Sequence, residues 1–267
     1  VSGRSLAGLR AITFDFGNTL VPVDRAGLRR VVETTGRAAT ERLGPFGLDE
    51  FLGIWAEERE RQFREEVPRF REVDLAERFV RVLARLRGMA SPAAGERWDQ
   101  GAAANRSSPA EIDWAVDVYS RAFVETLPPA PAAGRLLAEL AGRYRLGILS
   151  NWPLAATVDR YVEAAGWSRY LAAIVVSQRV GTIKPHPAIF AAARTALGNP
   201  ARATILHVGD DWAADVVGAT AAGWRAAYIR HRPEDSPLPS SDRDASVVAD
   251  LEIGDVSELG PLLGALA

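Results

Sequence analysis

The sequence predicts a three-layer α/β fold: a doubly wound parallel sheet with helices on both faces and an all-helical domain inserted after the first strand. Three observations carry this. Short apolar, β-branched runs alternate with segments of helical period from about residue 131 onward, the pattern of a parallel sheet buried on both faces. Residues of about 20–128 hold no convincing strand and read instead as amphipathic helices. Gly166, Gly198 and Gly223 each follow a periodic stretch, where a left-handed helix cap would sit.

The elements follow in order. RAITFD at 10–15 is the first strand. Segments 27–43, 49–66, 73–87 and 110–126 read as helices rich in Arg and Glu; Phe51, Ile54 and Trp55 share one face amid charges. Between the last two of these, 88–109 is rich in Ala, Gly, Ser and Pro and predicts a mobile loop. Helices at 131–143, 153–165, 187–198 and 212–222 then alternate with strands at 145–150, 173–177, 203–208 and 225–229. A last strand is predicted at 246–249, after a second loop at 231–244. The division that follows is a core of residues 1–20 and 129–267, with a helical insertion at 21–128.

The chain has 267 residues, enough for a substantial core, and a formal net charge of −2. That charge gives no pull toward nucleic acid or an anionic membrane, and the arginine-rich helices interleave their basic residues with acids. With no cysteine, disulfides and thiolate chemistry are excluded. No secretory signal and no apolar run long enough to span a bilayer is evident, so a cytoplasmic protein is expected. Of the 32 Lys and Arg residues a single one, Lys184, is lysine.

Ligands of such sheets sit beyond the carboxyl ends of the strands. There the first strand delivers Asp15, then Asn18 and Thr19; the second delivers Ser150 and Asn151. Lys184 follows the third strand, and the fourth ends in Asp210, Asp211 and Asp215. Carboxylates, hydroxyls and one cation around a single crevice suit phosphoryl transfer. Two carboxylates can hold a hard cation such as Mg²⁺, and one of them can attack phosphorus. A compact ammonium can touch Asp15 and a phosphate oxygen together, where a planar guanidinium is bulky. The competing readings are ordinary ones: turn residues at strand ends, helix capping by Ser150 and by the aspartates, and a surface loop for Lys184. His207 falls inside a strand and reads as a buried structural residue. Trp152 and Trp212 each follow a strand end and could line a pocket.

FDFGNTL, ILSN, GTIKP and HVGDDWAADVVGATAAG, in this order and spacing, resemble the four motifs of the haloacid dehalogenase-like (HAD) hydrolase superfamily. The resemblance covers nearly the whole chain and implies a Rossmann-like core with an inserted α-helical cap. It implies a Mg²⁺-dependent phosphatase acting on a small phosphorylated molecule through an aspartyl-phosphate on Asp15. Thr19, Ser150, Asn151 and Lys184 would bind the phosphoryl group, and Lys184 would also stabilise its charge. Asp15, Asp210, Asp215 and the Gly17 carbonyl would form the metal site.

One position departs from the pattern. Most phosphatases of the superfamily carry an acid–base aspartate two residues after the nucleophile; here Gly17 stands there. Such help is typically worth about 10²–10⁴-fold, and its loss matters least for a leaving group stable as an anion. Asp211, Asp24 and His186 are candidates to replace it. A phosphonatase-like reading fails because the insertion has no lysine. A dehalogenase reading is disfavoured because Gly209-Asp210 keeps the metal carboxylate. A non-catalytic phosphate-binding protein on the same fold is the first alternative, and dehalogenase chemistry stands third.

Overall fold

The computed structural model describes residues 6–93 and 95–265. The first strand, β1 (Ala11–Phe14), is buried along its whole length. Five helices then precede the next strand: α1 (Arg25–Leu43), α2 (Leu48–Glu66), α3 (Leu75–Leu86), α4 (Gln100–Ala104) and α5 (Pro109–Thr126). Four of them start on a capping side chain, those of Asp24, Asp74, Asp99 and Ser108, each accepting from a backbone N–H of the first turn. Their apolar faces meet in an aromatic core, with Trp55 stacked on Phe51 at 5.7 Å and edge-on to Phe79 at 5.0 Å.

The core resumes with α6 (Ala133–Ala141), β2 (Arg145–Ser150), α7 (Ala155–Ala164), β3 (Leu171–Val176), α8 (Ser177–Val180), α9 (Pro187–Ala196) and β4 (Ile205–Gly209). It ends with α10 (Gly218–Ala221), β5 (Arg225–Ile229), β6 (Leu251–Ile253) and α11 (Leu259–Ala265). The six strands form one parallel sheet in the order β3-β2-β1-β4-β5-β6. This is the doubly wound Rossmann-like arrangement, with the chain leaving β1 toward β2 on one side and β4 on the other. Phe14 stands opposite both Ile148 and Val208. The carboxyl ends of β1, β2 and β4 are therefore level, and the crevice opens at the point where the strand order reverses. The insertion packs on the core through rings: Phe123 of α5 lies edge-on to Trp152 at 5.2 Å, and Phe16 lies edge-on to the same indole at 5.1 Å.

Three segments differ from the sequence expectation. The last strand is Leu251–Ile253, beyond the predicted 246–249. Pairing toward β5 begins only where the Asp250 N–H donates to Ala226, and Val248 is 67% exposed. The stretch 88–109 is not wholly loop: it contains α4, and Trp98 is buried with its Nε1 donating to the buried Glu58 carboxylate. In 212–222 the chain first makes a wide π turn at Trp212–Val217 and only then α10. The extra residue per turn lets the Asp215 carboxylate fold back to accept from the Asp211 N–H at 2.9 Å. Among the described residues no helix is long and apolar enough to cross a membrane.

Candidate active site

The β1 end places Asp15 on the wall of a cavity of about 360 Å³ between the sheet and the insertion. The turn that follows is held by Asn18, which takes a positive φ of 55°, a conformation that asparagine tolerates better than most side chains. Its Oδ1 accepts from the Val23 N–H at 3.1 Å, and its amide donates to Ser236 at 3.0 Å. At the β4 end Gly209 is required by contact. A Cβ there would lie 2.2 Å from the Asp215 carboxyl carbon, so the small residue is what lets Asp215 fold against the strand end.

Lys184 joins the carboxylates. Its Nζ donates to Asp15 Oδ1 at 2.8 Å and to Asp215 Oδ1 at 2.6 Å, and its side chain is 1% exposed. Asp215 Oδ1 also accepts from His207 Nε2 at 2.9 Å, and Thr13 Oγ1 bonds the other ring nitrogen at 2.8 Å. Carboxylate oxygens of Asp15, Asp210 and Asp215 all lie within 4.8 Å of one another. Asp210 meets Arg232 Nη1 at 3.3 Å, and Thr19 Oγ1 at 3.4 Å.

The electrostatics follow from burial and charge count. Burial alone would lower the Lys184 pKa, but Asp15 and Asp215 outweigh it and raise it, so this lysine is a fixed cation. Burial opposes ionisation of Asp215, yet Lys184 and His207 overcome it and hold its carboxyl below the usual range. Asp15 is raised by burial, with Lys184 opposing. Asp210 is raised well above its ordinary value by burial, then by repulsion from Asp15 and Asp215.

Asp15, Gly17, Asn151, Lys184, Asp210 and Asp215 all line the cavity; Thr19 and Ser150 do not. The Ser150 hydroxyl is buried and makes no hydrogen bond of normal geometry, although it lies near enough to Asp15 to favour its ionised form. The Asn151 side chain is engaged by the lysine loop. Its Oδ1 accepts from the Lys184 N–H at 2.7 Å, and its Nδ2 donates to the Lys184 carbonyl at 3.1 Å. Of the three candidate acids only Asp211 reaches the cavity. Asp24 caps α1, and His186 caps α9 through its Nδ1. Trp152 lines the cavity, whereas Trp212 packs against Tyr228 at 5.1 Å and beneath Arg243.

The space at position 17 is already filled. A Cβ on Gly17 would lie 2.6 Å from Leu238 Cδ1 and 2.9 Å from Trp152 Cζ3. Leu238 belongs to the loop 231–244, which runs along the cavity. Its residues 237–241 line the wall, Arg232 holds the Leu238 carbonyl at 2.8 Å, and Ser241 Oγ donates to Asp211 Oδ1 at 3.0 Å. Arg59 of α2 donates to the Pro237 carbonyl at 3.3 Å, tying insertion to loop. Sequence reasoning found this loop but not its place at the cavity, and it missed Arg232 and, in the insertion, Glu72 and Arg78. Among so many arginines none carried a distinguishing signal. Glu72 is raised by burial, its carboxylate accepting from Ser177 Oγ and from the Val73 N–H.

Residues 9–223 match the model of the family described as haloacid dehalogenase-like hydrolase. The chain is 34% identical over 122 residues to pyrimidine 5'-nucleotidase YjjG of Escherichia coli K12, covering 44% of this chain and 54% of that protein. It is 29% identical over 150 residues to ribulose-1,5-bisphosphate 5-phosphatase of Halopiger xanaduensis, covering 55% of this chain and 62% of that one. The chain thus spans between half and two thirds of the length of the curated relatives it matches. A 2-haloacid dehalogenase structure from Pseudomonas syringae shares the fold, with a TM-score of 0.63 at 22% identity over 97% of this chain and 100% of that one. With four strand-end motifs converging on one cavity and the family match covering most of its length, this chain belongs to the haloacid dehalogenase-like hydrolases.

Proposed function

We propose that the chain is a Mg²⁺-dependent phosphatase acting on a small phosphorylated molecule, with residues 21–128 as a cap over a core of 1–20 and 129–267. The observation that carries the reading is the single buried lysine set between Asp15 and Asp215, within a cluster of three carboxylates that also includes Asp210. The donor set fits the metal. It is all oxygen, and three carboxylates with oxygens within 4.8 Å of one another crowd negative charge that a divalent cation would relieve. Asp15 and Asp210 would hold the ion with the Gly17 carbonyl, and Asp215, already bonded to Lys184, His207 and the Asp211 N–H, would act beside them. When bound, Mg²⁺ neutralises charge on the phosphoryl oxygens.

The chain's own groups do the rest. Asp15 is oriented by Lys184 for attack on phosphorus, and the buried Ser150 hydroxyl, beside Asp15 and off the cavity wall, favours its ionised form. Lys184 carries a charge that does not titrate away at neutral pH. Asn151 positions the lysine loop. The leaving group departs without a proton from position 17, which favours acyl phosphates and phenolate esters. Asp211 is the remaining candidate to take a proton from the water of the second step. Closure of the cap would exclude bulk water. The nucleotidase and bisphosphatase among the relatives support a phosphate ester as substrate. No feature calls for nucleic acid or membrane, and a cytoplasmic setting suits a small metabolite.

The test is Mg²⁺-dependent phosphate release from acetyl phosphate, p-nitrophenyl phosphate, a pyrimidine 5'-nucleotide and sugar phosphates, with Asp15→Asn alongside. Turnover of the activated substrates, abolished in the variant, is expected. A second reading, a phosphate-ligand binder without turnover, is favoured by Leu238 and Trp152 filling the place of the acid. Tight binding of phosphate esters with no release from any of them would select it.

A further inference from the structure

We propose that Arg78 is the subsite for a second anionic group of the substrate, so that the preferred ligand is a phosphate ester whose apolar or aromatic body carries a carboxylate. This rests on the phosphatase reading for its kinetic test, and on geometry alone for its binding test.

Arg78 projects from α3 on the cap side of the cavity that holds Asp15. It is 3% exposed. Its Nε donates to Gln62 Oε1 at 2.8 Å, and its guanidinium lies 5.3 Å from the centre of the Trp55 ring. Its Nη2 is buried with no hydrogen-bond partner, and among the described residues no carboxylate lies within ion-pair distance of it.

A buried cation without a counter-ion is costly. The arginine stays charged nonetheless, because burial lowers its pKa only to about 10. Glu72 is the carboxylate whose charge acts on it, but that carboxylate is held by Ser177 and the Val73 N–H, and burial raises its pKa. Arg59, on the same wall, adds positive potential. A buried guanidinium N–H without a partner, on a residue of the cavity wall, is matched best by a carboxylate oxygen, which brings both the charge and the acceptor. Apolar side chains line much of the remaining wall, including Phe63, Leu75 and Trp152. The cavity, at about 360 Å³, has room for a compact organic phosphate.

The experiment compares p-carboxyphenyl phosphate with the near-isosteric neutral p-carbamoylphenyl phosphate, in Mg²⁺, on the full chain. The expected result is a preference of about tenfold or more for the carboxylate in kcat/KM, carried by KM. Arg78→Met should bring the ratio to about one, and Arg78→Lys should keep part of it. A wild-type ratio at or below one overturns the proposal while leaving the phosphatase reading intact. So does a ratio unchanged in Arg78→Met. If neither ester releases phosphate, dissociation constants from tryptophan fluorescence decide. A tenfold difference that Arg78→Met removes supports the subsite and rejects the phosphatase reading; equal affinities reject both. The wild-type comparison stands even if a variant fails to fold.

Discussion

Lys184 is the residue on which the site turns. Its ammonium is buried between two carboxylates, and a third lies beside them. Removing one partner of a buried ion pair strands the others, at a typical cost of about 3–5 kcal/mol. Lys184→Met is therefore expected to lose about that much stability in urea denaturation. Lys184→Arg should lose most of its activity while keeping the charge, because a planar fork does not fit a point-cation site. Gly17 is the other decisive residue. Gly17→Asp must push against Leu238 and Trp152, an overpacking cost of about 1–3 kcal/mol. Combined with Leu238→Ala the new carboxyl has room. The double variant is expected to raise sugar-phosphate turnover at least about tenfold, toward the usual range of general acid–base help. Unchanged turnover would mean that another group already supplies the proton.

At the scale of elements, α5 shows how local chemistry sets the cap. Ser108 and Glu111 form a reciprocal capping box, with Pro109 at the first turn. Arg87, past the end of α3, donates to Glu111 at 2.6 Å and links the two helices. Hydrogen bonds from Arg87 and Ser108 hold the Glu111 carboxyl down at about 2, against an ordinary 4.5. A depressed folded-state pKa means the contribution is complete above the ordinary value and is lost as pH falls through the folded one. The urea midpoint should therefore fall between about pH 4.5 and pH 2, and Glu111→Gln should flatten that window. Loop 231–244 is an element of a different kind. It has no regular structure, yet Arg232, Ser236, Leu238 and Ser241 tie it to Asp210, Asn18, Gly17 and Asp211.

For the whole molecule, Asp210 sets function against stability. Its pKa is raised, so the folded state holds its proton more tightly than the unfolded state does. Ionisation at neutral pH therefore costs folding energy, and the cost shrinks as pH falls toward the raised value. Mg²⁺ binding should recover it. Added Mg²⁺ is expected to raise Tm at neutral pH, since a ligand bound only by the folded state stabilises it. Asp210→Asn should raise the metal-free Tm by about 2–4 °C for each kcal/mol relieved. It should also abolish the Mg²⁺ shift. Differential scanning calorimetry with and without Mg²⁺ checks both.

By itself the sequence determined the layered α/β fold, the helical insertion and the placement of Asp15, Lys184, Asp210 and Asp215 beyond the carboxyl ends of β1, β3 and β4. It could do so because periodicity and motif spacing are local, and parallel strands with level ends carry local positions to one crevice. Strand pairing was less legible. The apolar run at 246–249 resembles a strand, but pairing depends on where β5 offers its edge, and Leu251–Ile253 takes that place. Only the tertiary structure decided what surrounds the cluster. That Leu238 sits 2.6 Å from where a Gly17 side chain would begin is a contact between residues 221 positions apart. Asp24, His186 and Asp211 all cap helices, Asp211 by accepting from the Ala214 N–H at 2.7 Å, and that only Asp211 also lines the cavity depends on packing, which sequence distance does not report. Arg78 was one arginine among many until the fold removed water from around it and left Nη2 without a partner. Burial and partnership are properties of packing between distant segments, and no window of sequence contains them.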